Sequence, residues 1–136
     1  EPLYAAAASV GISLPWTGGA STTGNPFAQE LAKFGLSSSE KVVEFFSCAL
    51  YPKRGMLTHG RLFLTQKYLA FSGWPEGRVL LALQQIADVE RTSLFFVPNA
   101  LLVTTAVGEE YFFGSFLDRD LCYNMLTMMM KIAKRL

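Results

Sequence analysis

The stretch GRLFLTQKYLAFSG, residues 60–73, decides the fold of this chain. It holds two apolar runs, residues 60–65 and 68–72, with only Gln66 and Lys67 between them. Aliphatic and aromatic side chains in short runs bounded by turn residues are typical of β-strands. The stretch therefore predicts two successive strands in the middle of the chain.

Runs of the same kind lie on both sides of this stretch. Turn signals at residues 74–77 and 107–110 separate some of them, and the second has the composition of a hairpin. About seven short strands at regular spacing predict a sandwich or a barrel rather than a helical fold. The further strands are predicted at residues 43–51, 78–83, 86–91, 100–105 and 111–116.

The C-terminal segment has helical features instead. Asp118 can cap a helix, Asp120 falls in its first turn, and Lys134 and Arg135 fall near its end, an order that complements the helix dipole. An apolar stripe runs along it, and such a face needs a partner surface, which the end of a barrel provides. The stripe is predicted as Leu121, Met125, Met128 and Ile132, widened by Cys122, Leu126 and Met129. Met128, Met129 and Met130 are interpreted as adaptable packing rather than a metal or cofactor site.

Strand alternation and this stripe together predict a hydrophobic core. The predicted core residues are Val43, Phe45, Leu62, Leu64, Phe71, Leu81, Leu102, Phe113, Leu121, Met125 and Met128.

The N-terminal part divides in two. Residues 1–24 are rich in small residues and nearly uncharged, which predicts a flexible linker. Residues 25–36 predict a short amphipathic helix from Phe27 to Phe34, with Asn25 as N-cap, Pro26 in the first turn and Gly35 as the stop. The triplet of residues 25–27 also matches a peptide bound by some endocytic adaptor modules, but helix capping explains the same residues and is preferred.

Composition excludes several classes of protein. The chain has 136 residues, 51% of them hydrophobic and 17% charged, so one globular domain is expected. A net charge of +1 argues against nucleic acid as the partner, and the apolar runs are too short for a transmembrane segment. Two cysteines and one histidine are too few for a structural zinc site, so Cys48 and Cys122 are expected to be buried free thiols. No cofactor or metal is expected.

Motifs for catalysis are also missing from the sequence. It contains no Gly-x-Ser-x-Gly, no phosphate-binding glycine loop and no His-Glu-x-x-His. We therefore expect a protein that is not an enzyme and has no catalytic residues.

The ordered set of strand sequences resembles the GRAM domain family, the pleckstrin-homology-like modules of lipid-transfer proteins, Rab GTPase activators and myotubularins. The resemblance covers roughly residues 36–134, and the segments that carry it are residues 40–50, 60–65, 68–71, 86–91, 98–101 and 111–116. It implies a mainly β (α+β) fold over residues 37–136: a pleckstrin-homology-like barrel of about seven antiparallel strands capped by one C-terminal helix, preceded by the short N-terminal helix.

The resemblance also implies binding of acidic phospholipids at membrane surfaces. Lys53, Arg54, His59 and Arg61 are the predicted headgroup contacts, because related barrels hold headgroups near the first inter-strand loop and Arg and Lys suit phosphate. Residues 41–91 carry seven basic and four acidic residues, an excess that predicts weak, salt-sensitive attraction at about 1 kcal/mol per base. An ordinary solvated loop explains the same charges equally well.

The apolar run Leu94, Phe95, Phe96 and Val97 precedes Pro98 and Asn99 in a predicted loop. These side chains could insert into a membrane interface, fill a pocket of a partner, or fold back onto the barrel. Folding back is somewhat favoured for the run as a whole, because such runs are more often core than contact. If the run makes contacts, Leu94, Phe95, Phe96 and Val97 are the predicted membrane-insertion or partner contacts, with Phe95 and Phe96 predicted for shallow insertion.

The predicted function is therefore a non-catalytic membrane-targeting module that binds phosphatidylserine or phosphoinositide headgroups as part of a larger protein. It is expected to be cytoplasmic and peripheral at membranes. The alternative is a protein-docking module that binds a peptide or helix through apolar surface. Lipid binding should weaken in salt and on neutralising Lys53, Arg54 or Arg61, whereas apolar protein docking should tolerate salt.

Overall fold

The strands of the chain form one antiparallel sheet. The structure, a computed structural model, describes residues 27–53 and 55–135. Within these residues seven strands are hydrogen-bonded in the order β4-β3-β2-β1-β7-β6-β5, so β4 and β5 are the edges of an open sheet. The strands are β1 (Val42–Tyr51), β2 (Thr58–Thr65), β3 (Tyr68–Trp74), β4 (Arg78–Ala82), β5 (Ile86–Leu94), β6 (Val97–Thr105) and β7 (Glu110–Gly114). The seven predicted strands are confirmed.

Both halves of the sheet contribute to the same core, so the sheet curls around it. Leu62, Leu64 and Phe71 from β2 and β3 belong to one buried cluster with Leu101 and Phe113 from β6 and β7. The rings of Phe71 and Phe113 lie 5.6 Å apart between centroids. This closure gives the pleckstrin-homology-like architecture expected from the sequence.

Helix α2 (Arg119–Arg135) packs against this core through one edge of the predicted apolar face, which includes Cys122 and Leu126, and not through the predicted centre of that face. Its buried residues are Cys122, Leu126, Met130 and Ala133. The predicted core residues Leu121 and Met128 are exposed, and Met125 is half-buried. The helix is apolar on two adjacent stripes, so periodicity alone does not select the stripe that meets the sheet.

The start of α2 is capped as predicted. The backbone N–H of Leu121 donates to Asp118 Oδ1 at 3.2 Å, and Asp120 and Lys134 occupy the first and last turns. Elsewhere in the predicted core, Val43 is exposed at a register irregularity of β1. Leu102 is half-buried because it projects from the side of β6 opposite to Leu101 and Val103. The buried members of the predicted core are Phe45, Leu62, Leu64, Phe71, Leu81 and Phe113.

A short helix, α1 (Ala28–Ala32), covers the outer face of β1, β2 and β3. Phe27 lies 5.4 Å from both Phe45 and Phe63 between ring centroids, and Leu31 is fully buried. This helix is shorter than the predicted 27–34, and its N-cap position is Phe27 rather than Asn25. Asn25, Pro26 and the predicted linker, residues 1–24, lie outside the described residues.

The end of α1 is fixed by its own backbone and by β4. Gly35 has φ +77, and its N–H donates to the Ala32 carbonyl while the N–H of Leu36 donates to the Leu31 carbonyl. This double hydrogen bond is the Schellman stop that the glycine predicted. Arg78 Nη1 also donates to the Lys33 carbonyl at 2.9 Å, so the C-terminal end of α1 is tied to the sheet.

The two thiols are buried in the main core, as predicted. Burial raises the pKa of Cys48 and raises the pKa of Cys122 well above its ordinary value, so both are neutral thiols near pH 7. Because the thiolate is the reactive form, we expect neither cysteine to react with iodoacetamide in the folded chain and both to react in guanidinium chloride. Mass spectrometry of the alkylated protein checks this, and rapid labelling without denaturant would contradict the burial.

Candidate functional site

Three turns of the sheet meet at one end. The β1–β2 and β6–β7 turns are linked by Lys53 Nζ and Glu110 Oε1, 3.8 Å apart. The β1–β2 and β3–β4 turns are linked at Thr58, since a Cβ added at Gly73 would clash with the Thr58 methyl group. The β1–β2 turn follows the end of β1. The start of β7 and the end of β3 lie at this same end of the sheet, because Tyr51 pairs with Phe112, Leu50 with Thr58 and His59 with Trp74.

Each of these turns exposes a large apolar side chain. Met56 of the β1–β2 turn is 86% exposed, Trp74 at the β3–β4 turn is 80% exposed, and Val107 of the β6–β7 turn is 83% exposed. We call these residues, with Leu57 and Lys53, the three-turn surface. Exposed apolar residues are unremarkable singly, but a convergent group beside a cation is typical of an interaction site.

The described base at the three-turn surface is Lys53, and the same turns carry the exposed acids Glu76, Glu109 and Glu110. The ion pair of Lys53 with Glu110 is long and solvent-exposed, so the pair contributes little stability and leaves the ammonium group available to an anion. His59 is exposed one strand away, opposite Trp74 in the β2–β3 register. Arg54, the fourth predicted headgroup contact, lies outside the described residues.

Arg61 occupies a different part of the molecule from Lys53. It pairs with Ser47 on β1 and Ser72 on β3, on the outer face of the sheet. Lys53 lies two residues beyond the end of β1 and six residues after Ser47, which is at most roughly 20 Å of chain. Among the described basic residues, Lys53 belongs to the three-turn surface and Arg61 lies nearer α1.

A cavity of about 370 Å³ lies between α1 and the outer face of the sheet. Glu30 of α1 and Lys33, the residue that follows α1, line one side, and Arg61, Ser72 and Trp74 line the other. The Arg61 guanidinium carbon lies 5.7 Å from the centroid of the Phe45 ring, an arrangement that favours a cation. We call this the outer-face cavity; no feature of the sequence indicates it, because its residues come from three distant segments.

The apolar run at residues 94–97 forms a tight hairpin, not the predicted loop. Leu94 ends β5 and Val97 begins β6, and the two pair directly. Phe95 and Phe96 form the two-residue turn, with φ of +50 and +69, and they are 85% and 99% exposed. The favoured expectation that these side chains fold back onto the barrel is therefore wrong for both rings.

This hairpin tip lies far from the three-turn surface. Glu110, which contacts Lys53, pairs with Thr104 on β6. Thr104 follows Phe96 by eight residues, roughly 25 Å along an extended strand. Phe95 and Phe96 thus lie at the opposite end of the β7–β6–β5 half of the sheet from Lys53. A flat membrane that meets one end of the sheet therefore does not contact the other end.

The described part of the chain offers little for other chemistry. Across residues 27–53 and 55–135, no group of three or more His, Cys, Asp or Glu side chains is placed to hold a metal ion. None of the described helices combines the length and the apolar character needed to cross a membrane.

Comparison with known protein families identifies the fold of these residues. The model of the GRAM domain matches residues 28–135, which is most of the chain. The chain belongs to the GRAM domain family. The match begins at the first residue of α1, so in this GRAM domain the helix on the outer face lies inside the matched region.

Several curated proteins contain a segment similar to this GRAM domain. GRAM domain-containing protein 2A from mouse is 33% identical over 64% of the chain and 28% of its own length. Membrane-anchored lipid-binding protein LAM5 from Saccharomyces cerevisiae is 29% identical over 64% of the chain and 13% of its own length. UDP-sugar-dependent glycosyltransferase 52 from Dictyostelium discoideum is 29% identical over 69% of the chain, but only 6% of its own length is covered. The chain thus spans a small part of each relative.

Solved structures agree on the architecture. The C-terminal domain of an unknown protein from Leishmania infantum matches with a TM-score of 0.68 and 24% identity, covering 76% of this chain and 94% of that chain. The DH/PH fragment of PDZRHOGEF bound to human RhoA matches with a TM-score of 0.59 and 15% identity, covering 82% of this chain and 34% of that chain. At these identities the likeness establishes the pleckstrin-homology-like fold and nothing further.

Proposed function

We propose that this GRAM domain is a non-catalytic membrane-targeting module that docks on acidic phospholipid headgroups through the three-turn surface. The observation that carries the proposal is the convergence of Met56, Trp74 and Val107 around Lys53 at one end of the sheet. Apolar side chains that enter the interface and a base that meets the headgroups are the two contributions that hold a peripheral protein on a bilayer.

Similar proteins support a lipid partner. One relative is named a membrane-anchored lipid-binding protein, and GRAM domain-containing protein 2A shares the domain. On this proposal the module acts inside the cell, as a peripheral part of a larger protein. Lys53 and His59 are the proposed headgroup contacts at this end of the sheet, and Arg61 is a further proposed contact on the outer face. Arg54 is proposed from its place in the sequence beside Lys53.

Co-sedimentation with vesicles tests this function. The full chain is mixed with phosphatidylcholine vesicles that contain or lack phosphatidylserine or phosphoinositides, at low and high salt. Binding should require the acidic lipid and should weaken in salt, because the Debye length falls from about 10 Å at 0.1 M to about 3 Å at 1 M. The Lys53→Ala/Arg54→Ala variant should bind roughly thirtyfold more weakly, since each base contributes about 1 kcal/mol near an anionic surface.

A matched control removes the same charge elsewhere. Lys67 in the β2–β3 turn and Lys131 on α2 are exposed and belong to none of the three turns. The Lys67→Ala/Lys131→Ala variant should bind nearly as well as the parent chain. Equal losses in the two double variants would mean that net charge, not this surface, determines binding, and no binding to any acidic vesicle would reject the function.

The second candidate function is protein docking through the β5–β6 hairpin. The observation that favours it is the near-complete exposure of Phe95 and Phe96 at the end of the sheet far from Lys53. A rigid aromatic tip suits a pocket of a partner, and such contacts tolerate salt. Leu94 and Val97 at the base of the tip would form the rim of that contact.

A further inference from the structure

Helix α2 carries a second apolar stripe on its solvent side. Leu121, Met128 and Ile132 are 41%, 54% and 44% exposed, and the half-buried Met125 lies between them. At about 3.6 residues per turn, these four positions fall within about 60° of one another around the helix axis. The residues that α2 buries in the core are centred roughly 130° away. We call Leu121, Met125, Met128 and Ile132 the α2 stripe.

The spacing of the α2 stripe is that of a seam between two helices. Its residues follow one another by four, three and four positions, which is the heptad spacing of helices that pack side by side. Leu, Ile and Met side chains fill the holes of a facing helix, and Met adapts to the shape that it meets. The partner that fits the stripe is therefore a helix with the same spacing.

The two ends of the stripe carry opposite charges. Asp118, the cap of α2, precedes Leu121 by three positions, and Arg135 follows Ile132 by three, so both continue the heptad spacing. Both charged side chains are exposed. Because an acid begins the seam and a base ends it, a second seam of the same sequence matches it when the two run antiparallel. Parallel packing would place acid against acid and base against base.

We propose that a second copy of this chain covers the α2 stripe, with the two α2 helices packed antiparallel about a two-fold axis. An axis midway between Met125 and Met128 places Met125 against the partner's Met128. The next layer on each side places Leu121 against the partner's Ile132, and the outermost layer joins the acid of one copy to the base of the other. Every layer occurs twice, as an isologous interface requires, and the two helix dipoles oppose each other.

The size of the seam makes this a weak dimer. Helix α2 has 17 residues, and the stripe spans about three turns of it. A contact of this length buries less than the roughly 1,200–2,000 Å² of stable complexes. We expect a dissociation constant of about 10 μM to 1 mM, so the chain is a monomer when dilute and dimerises where its copies are concentrated. The dimer needs no lipid, and its absence would not affect the proposed membrane docking.

Sedimentation equilibrium of the full chain tests self-association without vesicles. The average mass should rise from one copy toward two between about 5 μM and about 1 mM. The Met128→Ser/Ile132→Ser variant should associate roughly thirtyfold more weakly, because each change occurs twice in a symmetric dimer. The Phe95→Ser/Phe96→Ser variant removes a pair of exposed apolar side chains from the β5–β6 hairpin and should associate as the parent chain does. Circular dichroism checks that both variants are folded.

Charge reversal at the ends of the seam tests its direction. Asp118→Lys and Arg135→Glu should each weaken self-association roughly tenfold, because each creates two like-charge contacts in an antiparallel dimer. The Asp118→Lys/Arg135→Glu variant carries both changes in one chain and should recover the association of the parent, since each lysine meets the partner's glutamate. Asp118 also caps α2, and loss of the cap alone would not give this recovery.

Three results would overturn the proposal. The first is a mass of one copy at every concentration, and the second is association of the Met128→Ser/Ile132→Ser variant equal to that of the parent chain. The third is no recovery in the Asp118→Lys/Arg135→Glu variant. A monomeric chain whose Met128→Ser/Ile132→Ser variant binds acidic vesicles more weakly would assign the α2 stripe to the membrane and not to a second copy.

Discussion

A variant with Met56→Ser, Trp74→Ser and Val107→Ser is expected to lose roughly a hundredfold or more of the affinity for acidic vesicles. Complete burial of a large apolar side chain contributes about 1.5–3 kcal/mol, so partial insertion of three such side chains contributes at least about 3 kcal/mol. The thermal stability should stay close to that of the parent chain, because exposed side chains away from the core contribute little to folding. Vesicle co-sedimentation and circular dichroism measure the two quantities.

The control for this variant is at the other end of the sheet. Phe95→Ser/Phe96→Ser removes more exposed apolar surface than any one of the three changes, yet it should leave vesicle binding within about twofold of the parent chain. If the phenylalanine variant loses binding and the triple variant keeps it, the membrane contacts the β5–β6 hairpin and the orientation proposed here is inverted. That result would restore the insertion role that the sequence suggested for Phe95 and Phe96.

The β5–β6 turn itself should be easy to stabilise. Phe95 and Phe96 both have positive φ, a region in which bulky side chains are strained by about 1–3 kcal/mol each. Asn and Gly are the residues preferred at the two central positions of such a turn. The Phe95→Asn/Phe96→Gly variant should therefore gain about 2 kcal/mol, which corresponds to a rise in Tm of roughly 8 °C for a domain of this size.

A comparison within the chain separates turn geometry from the loss of apolar surface. Met56→Asn/Leu57→Gly makes the same kind of replacement in the β1–β2 turn, where neither residue has positive φ. That variant should gain nothing and should lose some stability through the added glycine. A lower Tm for the Phe95/Phe96 variant would show that the phenyl rings make stabilising contacts, contrary to their exposure.

Much of the fold could be predicted from local patterns. Each strand is indicated by an apolar run between turn residues. Gly35 ends α1, Gly108 lies in the β6–β7 turn and Asp118 caps α2, as the chemistry of these residues predicts. The edge of the apolar face of α2 that is buried could not be predicted, because the exposed Leu121 and Met128 are as apolar as the buried Leu126 and Met130. The position of the sheet relative to the helix decides which of these side chains are buried.

The three-turn surface was not predicted from the sequence, because the strand order of the sheet brings its residues together. Met56, Trp74 and Val107 are distant in sequence and come together only through the strand order. Lys53 and Arg61 are close in sequence, but β2 carries Arg61 away from the turn. The hairpin at residues 95–96 was missed because phenylalanine is not a turn residue, whereas Pro98 and Asn99, which are, belong to β6.

Helix α1 bears on how any shortened form of this domain would behave. It covers Phe45, Phe63 and Ala70, a second apolar cluster on the outer face of the sheet. A fragment that began after Gly35 would present those rings to solvent, and an aromatic patch of that kind adheres to bilayers and to other copies without regard to headgroup. Binding of such a fragment to vesicles of any composition would follow from the exposed rings, so the proposed lipid binding should be measured with α1 in place.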